Sequence, residues 1–437
     1  MWNSLRLDTT LLHEPSDFRR VFVAGAISML GSFATYVALP MQMALLTGSY
    51  VAVGLMGVVE LAPLVIFGLW GGVLADRVDR RRLVLICELV FIVVLAALIA
   101  NALSPQPHTW VLYAAGAAFA VIDGLQRPSL SAMLPRLVPP DRLAQAGSLM
   151  SLRGNAAFVG GPALGGVIVA WGGAAAAYAF DALTFIVSAL IIMQVAHMPP
   201  ADRERSHVLA ELRGGITYLG SRRDIIGTYV VDTIAMVLAY PNALLPFVAI
   251  ELHATSSLGI LYAAPAVGAL LASATSGWTS HVHQQGRVVV FAAMSWGLAI
   301  AAIGATDDVR IVVLLLAIAG AADMISAVFR QLIWNLTIPD SVRGRMAGLE
   351  MLSYSIGPQL AGIRASSIAR LTSLRASFAI GGLLSAALIS FAPQALSALW
   401  RFDDRTSEDA IRERAAREHA VKDMNSIGSD DLDTPVQ

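Results

Sequence analysis

The amino-acid sequence predicts an all-α membrane protein with about twelve transmembrane helices in two pseudo-symmetric six-helix bundles. The chain has 437 residues, of which 56% are hydrophobic and 14% are charged, whereas a soluble protein carries about 25% charged residues. Its apolar residues come in runs of about 20 or more, the length needed to cross ~30 Å of hydrocarbon. Several motifs also recur in the same order in both halves. We therefore expect a lipid bilayer to be the solvent for most of the chain.

Twelve apolar segments are predicted, six on each side of a polar stretch. Their ranges are 18–46, 51–75, 82–103, 109–134, 143–171, 174–197, 225–250, 256–280, 287–305, 309–335, 345–369 and 375–400. We divide the chain into an N-terminal bundle over 1–198, a linker over 199–224, a C-terminal bundle over 225–400 and a polar tail over 401–437. The tail contains one candidate surface helix. The first apolar segment is too long for the h-region of a cleaved signal peptide.

The two halves share short motifs at corresponding places. Gly54 and Gly72 in the second segment correspond to Gly259 and Gly277 in the eighth, both at an offset of 205. GGPALGG in segment five resembles GPQLAG in segment eleven, and the polar stretches before these two segments are also alike. Two repeats of six spans are a known transporter plan, in which the substrate site lies between the repeats near the midplane.

Several classes of chemistry are excluded or disfavoured by missing residues. The only cysteine is Cys87, so no intrachain disulfide can form, and the only lysine, Lys422, does not follow glycine as a Walker A loop requires. The chain has no HExxH, GxSxG or CxxC motif, and its net charge of −1 gives no reason to expect nucleic acid. We expect no enzyme activity, no cofactor and no metal site. The expected partners are a small-molecule substrate, protons and lipid, with the chain acting as a monomer.

Arginines concentrate in alternate connections between the segments, which predicts the orientation of the chain. The arginines of these connections are Arg77, Arg80, Arg81, Arg82, Arg136, Arg142, Arg203, Arg205, Arg213, Arg222, Arg223, Arg287, Arg343 and Arg345. The opposite loops TGSY, NALSPQPHTW and WGGAA have none, although Arg310, Arg370 and Arg375 are exceptions to the pattern. This distribution predicts that both termini and the linker lie in the cytoplasm.

The stretch GGVLADRVDRRRLVL, at 71–85, packs charge between two apolar segments. It contains the ordered set Gly72, Asp76, Arg77, Arg80 and Arg81. Asp76 and Arg80 are four residues apart and can pair if the helix continues. The arginines alone are explained by attraction to anionic headgroups, which would make the stretch a topology anchor. The ordered set is more specific than that explanation requires, so a gating role stays open beside it.

This set resembles the loop signature of major facilitator superfamily transporters, which usually has glycine where this chain has Asp79. The resemblance covers about residues 10 to 400 and includes LLHEPSDFRRVF and LGILYAAPAVGA, which resemble the siderophore-export and drug-efflux branch. It implies that Asp76 and the arginines hold the two halves together in the outward-open state. In the second half His281 stands at the position of Asp76, and a matching charge lock is not expected there.

The fifth segment contains a stretch that resembles a second motif of that superfamily. GNAAFVGGPALGG resembles the motif typical of its antiporters, through the residues Gly160, Gly161, Pro162, Gly165 and Gly166. The resemblance implies antiport. Close packing of helices through small residues explains the same glycines without antiport, and both interpretations stay open.

Charged residues inside apolar segments are candidates for function, because each needs a partner, water or a proton. They are Glu60, Glu88, Asp123, Arg127, Arg153, Asp181, Asp232, Asp323, Arg330, Glu350 and Arg364. Glu60 and Asp232 lie near mid-membrane on opposite halves and are the first candidates for proton or substrate contact, with a structural hydrogen bond as the alternative for each. Glu88 and Asp181 are assigned to structural contacts at helix ends or backbone.

The next candidates form a pseudo-symmetric pair. Asp123 is four residues from Arg127, so the two can neutralise each other. Asp323 stands 200 positions later at the matching depth, with Arg330 two turns on. These two carboxylates are candidates for a gate or a proton site. Arg153 calls for an anionic substrate or a buried carboxylate.

We predict a secondary active exporter, driven by proton entry, of an amphipathic small molecule such as a siderophore or a drug. An importer or facilitator of the same fold is the first alternative, and a non-transporting membrane sensor or assembly factor is the second. The glycine motif favours the exporter over the importer. Acids inside the membrane in both halves favour either transporter over the sensor.

The orientation is tested with single cysteines introduced at Gln106 and Ser206 after Cys87 has been replaced. Because the connection at Ser206 is predicted to be cytoplasmic, an impermeant thiol reagent added outside intact cells should label Gln106→Cys and spare Ser206→Cys. The opposite labelling pattern would show that the orientation is inverted.

Overall fold

The computed structural model describes residues 9–199, 208–415 and 418, and this part of the chain is helical, without strands. Ten of its helices are long and apolar enough to cross a membrane. One of the ten bends back on itself and counts as two spans. A further helix, Asp340–Leu371, is more polar than the others and runs through the same bundle. These helices agree with the twelve predicted segments.

The N-terminal half contains six spans, which we label α1 to α6. The first four are α1 Asp17–Thr47, α2 Tyr50–Arg77, α3 Arg80–Ala102 and α4 Thr109–Leu137. A continuous helical segment, Leu143–Ile192, supplies α5 over 143–172 and α6 over 174–192. A short helix, Thr10–His13, precedes them. Segment six is helical only to 192, five residues short of its predicted end, because the chain then turns toward α3.

The C-terminal half repeats this arrangement with α7 to α12. These spans are α7 Arg223–Ala239, α8 Leu258–Ala274, α9 Gln285–Ile303, α10 Val309–Thr337, α11 Asp340–Leu371 and α12 Leu374–Ser390. Two shorter helices, Asn242–Leu244 and Leu245–Glu251, extend α7, and a connecting helix, Val208–Ser221, links the halves. Segment eight ends its α-helix at Ala274 and continues as a 3₁₀ helix, Ser276–His281. The tail helix is described over 408–415, within the predicted stretch.

Gly173 reverses the chain between α5 and α6. Its φ of 68° and ψ of −169° lie where side chains with a Cβ are disfavoured, so glycine permits the turn. On one side of the reversal Gly165 packs against Ala34, and on the other Asp181 accepts a hydrogen bond from Thr35 at 2.5 Å. Both α5 and α6 therefore lie against the same part of α1.

The α7 span is broken at Pro241. Proline has no backbone N–H and disfavours helix in the residue before it, so the α-helix ends at Ala239 and Tyr240 is extended. A 3₁₀ turn beginning at Asn242 then leads into Leu245–Glu251. The break lies inside the bundle, where irregular backbone is tolerated only if protein or a cavity surrounds it.

The bundle has two end faces. We call the face that carries Asp17, Arg77 and Arg80 the arginine face, and the opposite face, which carries Gly48 and Glu251, the far face. Helices α1, α3 and α5 run from the arginine face to the far face, and α2 and α4 run back. The second half follows the same pattern from α7 onward.

The two halves cross closely at two places on the far-face side. A Cβ on Gly54 of α2 would lie 2.5 Å from the carbonyl oxygen of Gly362 on α11. A Cβ on Gly259 of α8 would lie 2.8 Å from the carbonyl oxygen of Ala163 on α5, and Gly259 also meets Gly166 directly. Gly54 and Gly259 correspond in the repeat, and so do Gly166 and Gly362. The two crossings are therefore related by the internal pseudo-symmetry.

Further contacts between the halves lie on the same side. The Tyr50 hydroxyl donates to a Glu251 carboxylate oxygen at 2.8 Å, and its ring centroid lies 4.4 Å from that of Phe247. The Tyr36–Asn242 and Glu60–Gln359 hydrogen bonds and the Tyr36–Tyr262 ring contact also join the halves on the far-face side of the helices. We call the space between the halves on the arginine-face side of these contacts the cleft.

On the arginine face, the helix ends of each half are tied to one another. In the second half Arg222 donates to Asp224 at 2.7 Å, to the Tyr218 hydroxyl at 2.9 Å and to the Thr337 carbonyl at 3.0 Å. It also pairs with Asp409 of the tail at 3.4 Å. One arginine thus joins the connecting helix, α7, α10 and the tail.

Candidate functional site

The closed end of the cleft is lined by aromatic residues around the break in α7. The Asn242 side-chain amide donates to the Tyr36 hydroxyl of the other half and, at 2.9 Å, to that of Tyr240. The Tyr262 hydroxyl donates to the Asn242 carbonyl at 3.1 Å, and its ring meets that of Tyr36 edge-on with centroids 5.6 Å apart. We call these four residues and their level the cleft floor.

Glu60 of α2 lies at the same level as the cleft floor. It is ten residues from the far-face end of α2, and Tyr36 is eleven residues from the far-face end of α1. The Gln359 side-chain amide of α11 donates to Glu60 at 3.5 Å, a long hydrogen bond between the halves. Within the described part of the chain, no arginine, lysine or histidine forms an ion pair with Glu60. Its position between the halves agrees with its selection from the sequence.

The predicted pseudo-symmetric carboxylates lie on the walls of the cleft. Asp123 and Asp323 each stand at the middle residue of a 29-residue helix. Their side chains keep 40% and 38% of their surface accessible although they are mid-span. Asp123 pairs with Arg127 at 3.1 Å, as the spacing predicts.

In the second half the corresponding ion pairs join two helices. Arg330 of α10 pairs with Asp232 of α7 and, at 3.9 Å, with Asp323. Because Asp232 is 8% exposed and in direct contact with the arginine, it is a paired group, unlike Glu60. The structure therefore separates two residues that the sequence treated alike.

The sequence predicts an anionic substrate or a buried carboxylate as the partner of Arg153, and its described contacts are with neutral groups. Its guanidinium donates to the carbonyl oxygens of Val21 and Phe22 at 3.5 and 3.3 Å and lies 5.7 Å from the centroid of the Phe22 ring. A Cβ on Gly25 would strike it, so glycine makes room for the group on α1. Arg153 thus packs between α1 and α5. Arg364 likewise donates to a backbone carbonyl, that of Val237, at 3.3 Å.

The two acids assigned to structural contacts have buried hydroxyl partners. Asp181 is 1% exposed and accepts from Thr35, with Thr184 3.4 Å away. Glu88 accepts from Ser188 at 2.6 Å and joins α3 to α6. Both contacts lie within the N-terminal half. They hold helices together.

The antiporter-like glycines line close helix contacts. Gly161 and Gly165 pack on Phe33 and Ala34 of α1, and Gly166 packs on α8 of the other half. Pro162 is buried beside them, whereas a Cβ added to Gly160 would meet nothing within 4 Å. The motif therefore provides the packing that the sequence left as one of two interpretations, and whether it also implies antiport stays a prediction.

The arginine motif holds the ends of α3, α4 and α6 together. Arg80 donates to the Ala132 carbonyl at 3.0 Å, and Arg81 donates to the Ile192 carbonyl at 3.1 Å and to that of Met193. Arg77 is exposed. The surroundings of Gly72, Asp76 and Glu350 are not among those that the structure describes.

Asp79, the position at which the chain departs from the expected glycine, has a structural role. Its carboxylate accepts from the backbone N–H groups of Arg82 and Met198, both at 2.9 Å, and lies 3.3 Å from His197. Partial burial raises the pKa of Asp79. The hydrogen bonds from these donors and the charge of His197 lower it by a larger amount, so the pKa of Asp79 lies below its ordinary value. Asp79 thus caps α3 and ties it to the chain beyond α6.

Sequence reasoning missed most of the cleft floor. Tyr36, Asn242 and Tyr262 are uncharged, so a search for charges inside the membrane does not find them. Pro241 directly before Asn242 was the available signal, because broken helices in transporters mark binding sites. Gln359 lies within the GPQLAG repeat and gave no signal of its own.

Comparisons with known proteins agree with this architecture. A family profile described as a transmembrane secretion effector of the major facilitator type matches residues 13–423. The chain belongs to this family. The chain is 30% identical to the enterobactin exporter EntS of Citrobacter koseri over 348 residues, which cover 78% of this chain and 83% of that protein. It is 28% identical to EntS of Escherichia coli over 348 residues, which again cover 78% of this chain and 83% of that protein.

Solved structures of transporters share the fold of this chain. The nucleoside transporter NupG has a TM-score of 0.69 at 12% identity, covering 89% of this chain and 100% of that one. A bacterial homologue of the iron transporter ferroportin, in an inward-facing state, has a TM-score of 0.68 at 14% identity and covers 88% and 98%. The family profile and the curated relatives show that this chain is a membrane transporter of the major facilitator superfamily, and not an enzyme.

The role of Asp79 is tested by thermal unfolding of the purified transporter in detergent. Asp79→Ala removes the cap and should lower the free energy of unfolding by about 1–2 kcal/mol at pH 7. Because the folded-state pKa of Asp79 is below the unfolded value of about 3.9, its stabilising contribution is present above that pH and is lost as the pH falls through the folded-state pKa.

The difference between Asp79→Ala and the parent should therefore shrink below about pH 4. Asp141→Ala, at an exposed position without a described hydrogen bond, is the matched control and should unfold like the parent at every pH. A difference that stays constant across the pH range would show that the Asp79 charge contributes nothing.

Proposed function

We propose that this transporter is a secondary active exporter of the bacterial inner membrane, which couples outward movement of an amphipathic small molecule to proton entry. The observation that carries the proposal is Glu60. It is a carboxylate inside the membrane, at the boundary between the halves and at the closed end of the cleft. Its one described hydrogen bond, to Gln359, comes from the opposite half.

A carboxylate in this position suits coupling for a physical reason. Alternating access moves one half against the other around a central site, so Glu60 and Gln359 separate or reorient in each cycle. Protonation removes the charge of Glu60, and a neutral carboxyl is far easier to keep away from water than a carboxylate. The state of the proton and the arrangement of the halves are thereby linked.

The second candidate for proton coupling is the group formed by Asp232, Arg330 and Asp323. Arg330 faces two carboxylates and pairs more closely with Asp232. If one of the two carboxylates were protonated, Arg330 would form its ion pair with the other one. This exchange would change the contact between α7 and α10. Asp123 is the corresponding acid of the first half and pairs within its own helix.

Export as the direction is supported by two observations. The curated relatives are named exporters, and the family is described as a secretion effector. The arginine distribution predicts that the arginine face is cytoplasmic, and we propose that the cleft opens on that face, the side from which an exporter loads its substrate. We propose that Arg153 stabilises the contact of α5 with α1 and does not touch the substrate.

Coupling is tested by efflux from cells that express the transporter, with enterobactin and ethidium as probes for the siderophore and drug alternatives. A protonophore should abolish efflux of the transported probe. Glu60→Gln should uncouple proton movement from efflux, because the glutamine cannot bind or release a proton. Glu88→Gln is the matched control, since Glu88 is a buried structural acid, and it should keep coupling at equal membrane levels.

Efflux that persists unchanged after every ion gradient is abolished would refute the antiporter. If Glu60→Gln, Asp232→Asn, Asp123→Asn and Asp323→Asn all keep coupling, the assignment of the proton to these residues is wrong.

We further propose that Gly72, Asp76, Arg77, Arg80 and Arg81 stabilise the outward-open state by closing the arginine face. Asp76→Asn should then reduce transport strongly while the amount of protein in the membrane stays unchanged. Asp141→Asn, on the same face, is the matched control. Equal transport by Asp76→Asn and the parent would show that the motif acts only as a topology anchor.

A further inference from the structure

We infer that the cleft floor binds a monovalent organic cation with an aromatic or apolar body. This inference rests on the proposed transport function, since it names the substrate class of that site. Three observations carry it: the aromatic rings around Asn242, the unpaired Glu60 at their level, and the engagement of the nearby arginines.

The rings provide a surface on which a cation can lie. Tyr36 keeps 44% of its surface accessible although it is deep in the bundle and contacts residues of both halves. Phe33 stands edge-on to Tyr36 with centroids 6.2 Å apart, and Phe158 stands edge-on to Phe33 at 5.4 Å. The face of an aromatic ring attracts a cation within about 6 Å of its centroid. Because Tyr36 contacts Asn242 and Tyr262 of the opposite half, its exposed ring lies at the boundary between the halves.

Glu60 supplies the complementary negative charge. It lies within electrostatic range of both Tyr36 and Asp123. Its hydrogen bond to Gln359 is long, at 3.5 Å, and the Gln359 amide is neutral. A carboxylate between protein walls without a cationic partner is costly, and a bound cation removes that cost.

The arginines described near this level already have partners in the protein, and Arg364, beside Tyr240, donates to the Val237 carbonyl within the second half. Arg127 pairs with Asp123, and Arg330 lies between Asp232 and Asp323. Arg153 lies against the part of α1 near Phe22, fourteen residues from Tyr36, which is roughly 20 Å along the helix. An anionic catecholate at the cleft floor would therefore face the Glu60 carboxylate. The charges around this cleft therefore do not favour enterobactin, the substrate in the name of the relatives.

The experiment compares two ions of the same shape and opposite charge. Tetraphenylphosphonium and tetraphenylborate each present four phenyl rings around a single charge, and their binding to the purified full-length protein is measured by equilibrium dialysis in detergent, without any ion gradient. We expect saturable binding of tetraphenylphosphonium only. Empty detergent micelles give the background from partitioning.

Variants locate the site. Glu60→Gln should weaken tetraphenylphosphonium binding about tenfold or more, as removal of a desolvated charge does. Tyr36→Leu should also weaken it, whereas Tyr36→Phe, which keeps the ring, should bind nearly as the parent does. Glu88→Gln is the matched acid control and should bind as the parent does. Size-exclusion profiles and unfolding temperatures confirm that each variant is folded.

The inference is overturned if tetraphenylborate or enterobactin binds saturably and displaces tetraphenylphosphonium, or if folded Glu60→Gln binds the cation as tightly as the parent. These outcomes are independent of coupling, because binding is measured without a gradient. A protein that binds the cation through Glu60 but shows gradient-independent efflux would refute the proposed antiport alone.

Discussion

Close contact between backbones on the far-face side governs the architecture of the whole bundle. Gly54 meets Gly362, and Gly259 meets Gly166, at distances that leave no room for a Cβ. In a bilayer, helices associate through packing of this kind, because lipid is as apolar as the side chains it would replace. These crossings hold the halves together on one face and set the level of the cleft floor.

The charged groups inside the membrane follow from this geometry. Within the first half, Asp181 and Glu88 accept hydrogen bonds from the buried hydroxyl groups of Thr35 and Ser188. Groups that face the cleft are matched incompletely, since Arg330 serves two carboxylates and Glu60 has an amide as its partner. Because an unmatched charge in the membrane is expensive, its retention at the cleft is the physical sign of a working site.

Each half is also tied together on the arginine face, and the ties differ. In the first half Arg80 and Arg81 bind carbonyl groups at neighbouring helix ends, and Asp79 caps α3. In the second half Arg222 joins the connecting helix, α7, α10 and the tail. Such ties suit two bodies that move as units, because they keep helix ends in place when the cleft changes shape.

The number and order of the spans and the repeat of glycines could be predicted from the sequence, because length, hydropathy and small residues are local properties of the chain. Glu60, Asp123, Asp232 and Asp323 could be found in the same way, since a charge in an apolar run is visible without a fold. The difference between Glu60 and Asp232 emerged only from the packed helices, because Arg330 lies 98 residues from its partner along the chain. The partners of Arg153 and the aromatic groups around Asn242 likewise required the folded bundle. Which charges are paired depends on neighbours that are distant in sequence, and such neighbours meet only when the helices pack.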